Sequence, residues 1–164
     1  MTQFEHSPLI VHYLNWKIND KLNFLSLNTA DGYQSSLPND YKTTHMRYTS
    51  GGRVEYSTYN WYFTFSGYTQ YGKDSTGKKL KAYYIQPEIK YTNKAFTARL
   101  GVEYLSGADS SKHYKEDRSF VPLYGVAHRF MGNMDLFTRF PSDVNNGGLI
   151  NPYLFFQYQN KKLT

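Results

Sequence analysis

Residues 79–104 read KLKAYYIQPEIKYTNKAFTARLGVEY, and apolar and polar side chains alternate along most of this stretch. Successive side chains of a strand point to opposite faces, so Ile85 and Ile89 share one face while Gln86 and Glu88 share the other. The stretch therefore predicts two strands that each have one apolar and one polar face.

The same period of two recurs along the chain, although it is less regular near the start. The predicted strands lie at about residues 9–18, 21–28, 43–57, 60–72, 80–92, 95–105 and 149–159. Because a chain of 164 residues fits one domain, we expect one all-β domain over residues 1–164, built as an antiparallel up-and-down meander.

Short and long connections alternate between these strands. Tight turns are predicted at Asn19–Asp20, Thr58–Tyr59 and Asn93–Lys94, and longer connections at 29–42, 72–79 and 106–148. Outer-membrane barrels have brief turns at one rim and longer loops at the other, and their strands need only about 9 to 11 residues to cross a bilayer. The pattern favours part of a transmembrane β-barrel.

Two of the turns also predict a register. As two-residue loops, Thr58–Tyr59 and Asn93–Lys94 give the cross-strand pairs Val54 with Phe63, Arg47 with Gln70, Glu88 with Arg99, and Ile89 with Ala98. Pro87 and Pro152 fall inside predicted strands, where proline removes a hydrogen-bond donor. We therefore expect bulges or rim positions at both prolines.

The composition is rich in amphipathic rings, with 17 tyrosines, 11 phenylalanines and 2 tryptophans, which suits membrane interfaces or sugar-binding surfaces. The net charge of +6 is spread along the chain, so no nucleic-acid partner is expected. Cysteine is absent and the five histidines lack metal-ligand spacing, so neither a metal nor a cofactor is expected. The sequence also predicts no transmembrane helix and no signal peptide.

Four segments carry a resemblance to a known family. They are YTSGGRVEY at 48–56, YTQYGKDSTGKKLKAYYIQPEIKY at 68–91, FTARLGVEYLSGAD at 96–109 and FVPLYGVAHRFMGNMDLF at 120–137. In this order they resemble the alginate-export-type outer-membrane barrels of Gram-negative bacteria, over about residues 41–159. The resemblance implies a monomeric barrel of about 16 to 18 strands in the outer membrane, which passes an anionic polysaccharide or a smaller solute.

The number of predicted strands differs from that family, because an odd, partial set of antiparallel strands does not close into a barrel. We therefore expect this chain to be a fragment of a larger barrel whose remaining strands lie elsewhere. A complete eight-stranded barrel with a structural role, with an extra strand near residues 120–128, is the alternative.

In a barrel, the polar face would line the lumen. The predicted pore-lining residues are His45, Arg47, Arg53, Glu55, Tyr62, Tyr68, Gln70, Glu88, Lys90, Arg99 and Glu103. Arginine and lysine would concentrate anionic solutes, and tyrosine rings would stack on sugars. The alternative is that these charges pair across strands and only keep the lumen hydrated.

The long connection 106–148 contains an apolar run and could fold inward to constrict the pore. That arrangement would place His128, Arg129, Asp135 and Arg139 near the path of the solute. The alternative is that the connection covers the strand ends or holds a short helix.

Catalysis is not expected, because the sequence has no G-x-S-x-G, no H-E-x-x-H and no glycine-rich phosphate loop. A different class of function is a soluble all-β module whose tyrosine-rich face binds carbohydrate. The two functions differ on the apolar face: a channel turns Phe63, Ile89 and Leu100 toward lipid, whereas a soluble module buries them against a second sheet.

Overall fold

The computed structural model of the protein describes residues 8–38, 42–108, 116–122 and 144–159. The strands are β1 (Leu9–Lys17), β2 (Leu22–Gln34), β3 (Thr44–Thr58), β4 (Trp61–Lys73), β5 (Lys79–Asn93), β6 (Phe96–Leu105), β7 (Glu116–Asp117) and β8 (Leu149–Tyr158). The described ranges contain no α-helix. The predicted all-β class is confirmed.

All the strands belong to one eight-stranded sheet, in the order β1-β2-β3-β4-β5-β6-β8. Each neighbouring pair in this order is antiparallel, and the two-residue strand β7 pairs in parallel with β5. The predicted antiparallel meander is therefore confirmed. Within the described residues, β1 and β8 form the two edges of the sheet and do not pair with each other.

Strand β2 is longer than its local sequence predicts, because it continues past residue 28 to Gln34. The added segment pairs with β3 as far as Gln34 with Thr44. Asp31 and Gly32 are poor strand formers and are typical of turns. Pairing with the long neighbouring strand and burial of Asp31 prevail over this local preference.

The predicted registers of the two hairpins are wrong by two residues. Thr58 pairs with Trp61 and Asn93 pairs with Phe96, so the loops are 59–60 and 94–95, each one residue later than predicted. The first loop residue has a positive φ in both cases, 46° at Tyr59 and 49° at Lys94. The observed partners are Val54 with Phe65, Thr49 with Gln70, Lys90 with Arg99, and Ile89 with Leu100. A slip of two leaves every side chain on its predicted face.

The prediction that the two prolines lie at bulges or rims is also wrong. Pro87 lies in the middle of β5 opposite Phe65, and the pairs of β5 with β6 have the same register on both sides of it. Pairing with β6 is interrupted only at Gln86 and Pro87, where the proline lacks an N–H donor. Pro152 pairs with Val102 inside β8, at an edge of the described sheet, where proline is tolerated.

The alternative of an extra strand at 120–128 gains no support from the described residues. Phe120, Val121 and Pro122 are not in a strand, and the rest of that segment lies outside the described residues. Instead, Phe120 belongs to a small buried cluster with Leu80, Ala82, Tyr84 and Leu105. This cluster lies toward the end of the sheet that carries the longer connections.

Candidate functional site

Every residue predicted to line a pore projects from the same side of the sheet. Arg53 pairs with Ser66, which pairs with Gln86, and Glu55 pairs with Thr64, which pairs with Glu88. The other predicted residues lie at alternate positions of the same strands and of β6, so they share this side. We call this side the polar face and the opposite side the outer face. The structure divides the polar face into three layers along the strands.

The first layer, nearest the tight turns, is a cavity of about 450 Å³, which we call the charged cleft. It is lined by Arg53, Tyr62, Gln86, Glu88, Lys90, Arg99 and Glu103. The sequence predicted all of these except Gln86. The cleft therefore gathers most of the predicted ionic residues, although they come from four different strands.

Most charges in the charged cleft are paired. Arg53 Nε lies 2.9 Å from Glu55 Oε1, and Arg99 Nε lies 3.7 Å from Glu88 Oε1. The ammonium of Lys90 lies 4.7 Å from the centroid of the Tyr62 ring, a cation–π contact, and forms no ion pair with any described residue. Lys90 is thus the cation in the cleft with the least neutralised charge.

Glu88 is also bound by a residue that the sequence analysis did not select. The Tyr153 hydroxyl donates a hydrogen bond of 2.8 Å to Glu88 Oε2, and Gln86 Nε2 donates one of 3.1 Å to the Tyr153 oxygen. The alternation along β8 places Tyr153 on the polar face, so the sequence could have predicted this residue as pore-lining. Its partner was not predictable, because β6 lies between β8 and β5.

The second layer is less polar and contains two of the predicted residues. Tyr68 packs with its ring centroid 6.1 Å from that of Tyr84, whose hydroxyl donates a hydrogen bond of 3.0 Å to Glu103. Gln70 is completely buried. Tyr68 and Gln70 therefore lie in an inner apolar layer and not in the charged cleft.

Residues 118–122, which we call the inward segment, lie on this second layer. Gln70 Nε2 donates a hydrogen bond of 2.7 Å to the Val121 carbonyl, and the Val121 N–H donates one of 2.9 Å to Gln70 Oε1. Ser106 Oγ donates to the Arg118 carbonyl at 2.8 Å, and the Phe120 ring stacks on Tyr84 with centroids 5.5 Å apart. This part of the long connection thus packs onto the polar face.

Just before the inward segment, Lys79 Nζ lies 3.2 Å from Glu116 Oε1, and this hydrogen bond lowers the pKa of Glu116. The contact ties β7 to the start of β5. The predicted constriction residues His128, Arg129, Asp135 and Arg139 lie outside the described residues.

The third layer, near the longer connections, contains a buried ion pair. Arg47 Nη2 and Nε lie 2.9 Å and 3.3 Å from Asp31 Oδ2, and the Tyr33 ring packs against the guanidinium at 4.2 Å. The side chains of Arg47 and Asp31 are only 8% and 4% exposed. Asp31 was missed because its local sequence predicts a loop.

His45 is buried in the same layer, below the connection between β4 and β5. A Cβ atom at Gly77 would lie 3.1 Å from the imidazole, which shows how closely that connection covers the ring. His45 and Arg47 are therefore covered, unlike Arg53 and Arg99 of the charged cleft, whose side chains are 37% and 45% exposed.

The outer face is exposed and mostly apolar, apart from a polar row of His12, Asn28, Ser50 and Thr69 on β1 to β4. Phe65 is 51% exposed, Leu100 is 53% exposed and Phe156 is 64% exposed. Aromatic rings cluster at both ends of this face: Trp61 with Tyr91, Tyr56 with Phe63 and Phe96 with Phe156 near the turns, and Tyr48 with Tyr71 and Tyr83 with Tyr104 near the longer connections. Val54, Ile85, Ile89, Leu100 and Val102 lie between the two aromatic groups.

The part of the chain that the structure describes holds no cluster of histidine and acidic residues able to bind a metal. Nor does any described helix have the length and hydropathy needed to span a membrane. In comparisons with known proteins, no family model, no curated protein and no solved structure matches this chain.

Proposed function

We propose that this chain forms part of the wall of a β-barrel channel in the outer membrane, with the outer face against lipid and the polar face lining a water-filled passage. The passage takes small polar or anionic solutes, or an anionic polysaccharide as in alginate-export-like barrels. The observation that carries the proposal is the broad exposed outer face, which backs directly onto a layer of buried and half-buried charges.

The exposure of the outer face supports a lipid environment. A soluble sheet covers its apolar face with a second layer, but Phe63, Phe65 and Leu100 have no such cover from any described residue. Exposed apolar patches of this extent mark membrane or partner surfaces. Lipid is the partner that this band would fit, although a polar row of His12, Asn28, Ser50 and Thr69 interrupts it on β1 to β4.

The positions of the aromatic rings support the same environment. Trp61 and Tyr71 mark the two ends of the apolar band on β4. Ten residues of strand span about 33 Å, which at a tilt of about 40° corresponds to about 25 Å along a membrane normal. This is the height of the lipid-facing band that aromatic girdles flank in outer-membrane barrels.

The charged cleft supports passage of hydrated solutes. Two of its cationic side chains are accessible to water, since those of Arg53 and Arg99 are 37% and 45% exposed. Because most cations are paired with glutamates, the cleft would favour anions only weakly, chiefly through Lys90. A wide and weakly selective passage fits these contacts better than a tight anion-binding site.

A membrane-insertion assay tests the proposal. The full chain is refolded with lipid vesicles and floated on a density gradient after a carbonate wash. We expect it to float with the vesicles and to increase planar-bilayer conductance. Recovery in the soluble fraction, together with a monodisperse species in the absence of detergent, would contradict the proposal.

Two adjacent residues of β6 provide matched variants for this assay. Leu100 lies on the outer face and Arg99 on the polar face. Leu100→Glu places a charge against lipid and should reduce the floated fraction severalfold, because a charge near the bilayer midplane is destabilising, by less for glutamate than the cost of about 2 to 4 kcal/mol for arginine or lysine. Arg99→Glu should leave the floated fraction unchanged.

A soluble carbohydrate-binding module is the second candidate. Tyr83 and Tyr104 favour it, since their rings stack at 5.5 Å with an interplanar angle of 18°, and Tyr83 is 46% exposed on the outer face. Sugar rings stack on such surfaces. In that case the chain stays in the soluble fraction, and Tyr83→Ala weakens retention on an immobilised polysaccharide.

A further inference from the structure

An apolar cavity of about 480 Å³ lies on the polar face between the inward segment and β1. Leu9, Val11 and Leu27 line one side, and Tyr68, Phe120 and Pro122 line the other. It is separate from the charged cleft, although Glu103 borders both. We call it the apolar cavity.

Most polar groups that border the apolar cavity have partners within the protein. The exception is Thr29 Oγ1, which is buried and forms no hydrogen bond with any described residue. Both ends of the Gln70 amide bind Val121, and the amide nitrogen also contacts Thr49 Oγ1 at 3.2 Å. Glu103 is 2% exposed and accepts a hydrogen bond from Tyr84. A molecule in the cavity therefore meets mainly aliphatic and aromatic carbon, together with the unpartnered hydroxyl of Thr29.

We infer that the apolar cavity is a binding site for a small, uncharged, largely apolar molecule of about the size of two fused aromatic rings. Its volume lies within the range of about 300 to 1,000 Å³ that is usual for ligand pockets. The Tyr68 and Phe120 rings offer faces and edges for aromatic packing. A carboxylate is disfavoured, because it would lose its hydration beside the buried Glu103, and the single hydroxyl of Thr29 would not replace that hydration.

This inference goes beyond the proposed channel and does not depend on it. The channel would attract anions to the charged cleft, whereas the apolar cavity would reject them. Its walls come from β1 to β6 and the inward segment, all within the described residues. Loss of binding and loss of membrane insertion are therefore separate results.

The test is calorimetric titration of the purified full chain, at constant detergent concentration, with naphthalene and with 2-naphthoate. We expect naphthalene to bind and 2-naphthoate to bind at least about a hundredfold more weakly. Equal affinity for the two compounds would overturn the inference.

Neighbouring residues of β1 supply a matched pair of variants. Val11→Trp fills the cavity and should weaken naphthalene binding at least about tenfold. Ile10→Trp makes the same change on the outer face, where Ile10 is 68% exposed, and should change the affinity less than about twofold. Partition into detergent is common to both variants, so equal binding by the two would overturn the inference.

A variant from the opposite wall covers the case in which Val11→Trp does not fold. Phe120→Ala removes an aromatic wall and should weaken naphthalene binding about tenfold. Unchanged affinity in a folded Phe120→Ala protein would show that the cavity does not hold the ligand.

Discussion

Tyr153 donates a hydrogen bond of 2.8 Å to Glu88 although the two residues lie on strands that are not neighbours. Gly101 of β6 pairs with both of them, with Glu88 on one side and Tyr153 on the other. The tyrosine ring crosses β6 directly over this glycine. A Cβ atom at Gly101 would overlap the ring and its hydroxyl, so only glycine leaves room for the crossing. Three strands are thus tied together across the charged cleft.

The first prediction concerns this crossing. Gly101→Ala should displace the Tyr153 ring, break its bond to Glu88 and lower the free energy of unfolding by about 1 to 3 kcal/mol. The measurement is the urea midpoint of the full chain, refolded under identical conditions for each variant.

The matched control for Gly101 is Gly67. A Cβ at Gly67 would meet only Phe65 Cε1, at 3.4 Å, which is close to an ordinary contact. Gly67→Ala should therefore have little effect on the midpoint. Equal destabilisation by both substitutions would mean that the crossing of Tyr153 over β6 makes no specific contribution to the free energy of unfolding.

The second prediction concerns the buried ion pair. Asp31→Ala leaves the Arg47 guanidinium buried without its carboxylate, and breaking such a pair costs about 3 to 5 kcal/mol. The free energy of unfolding should fall by an amount in this range, measured by urea denaturation.

The exposed pair Lys17–Asp20 is the control, since its side chains are 68% and 95% exposed and 2.7 Å apart. Water and salt screen such a pair, so Asp20→Ala should leave the urea midpoint unchanged. If Asp31→Ala had as little effect as Asp20→Ala, Asp31 and Arg47 would not be coupled in the folded protein.

The third prediction rests on the proposed channel and concerns Lys90. Lys90→Glu reverses the least neutralised cation of the charged cleft and should lower the ratio of anion to cation permeability at least about twofold. The reversal potential across a planar bilayer under a salt gradient measures this ratio.

Lys94→Glu makes the same charge change in the loop between β5 and β6, outside the charged cleft, and should shift the reversal potential much less. A shift of equal size from both variants would mean that the net charge of the chain, and not the cleft, sets the selectivity.

The fourth prediction concerns the two hydrogen bonds that hold the inward segment. Gln70→Leu keeps the bulk of the side chain but removes both bonds to Val121. The Val121 amide should then exchange with deuterium at least about tenfold faster, because its acceptor is lost.

Thr49→Val is the control for Gln70, because it removes only the contact of the Gln70 amide nitrogen with Thr49. It should leave exchange at Val121 nearly unchanged. Unaltered exchange in Gln70→Leu would show that contacts other than Gln70 anchor the inward segment.

Much of the sheet could be predicted from local pattern, and the two errors in hairpin register have a common cause. The alternation in β3, β4, β5 and β6 predicted the strands and their faces, and the hairpin loops were placed one residue too early. Loop position depends on which residue takes the positive φ, and Tyr59 and Lys94 have no local signal such as glycine for that conformation. The resemblance to alginate-export-type barrels stays a prediction.

The candidate site was less predictable than the sheet. The alternation of polar and apolar residues alone predicted most residues of the charged cleft, because residues of one face remain on that face when the register slips by two. The covered positions of His45 and Gln70 did not follow, because the segments that cover them are remote in the chain. Asp31 was missed because its neighbours predict a turn.

The order of the amino acids alone determined that the chain forms strands and which side chains share a face, because backbone geometry sets that alternation residue by residue. Only the tertiary structure decided which charges are neutralised and where the polar face is covered. Asp31 with Arg47, Tyr153 with Glu88 and Gln70 with Val121 join residues remote in sequence, and the register and the path of the chain alone bring them within hydrogen-bonding distance.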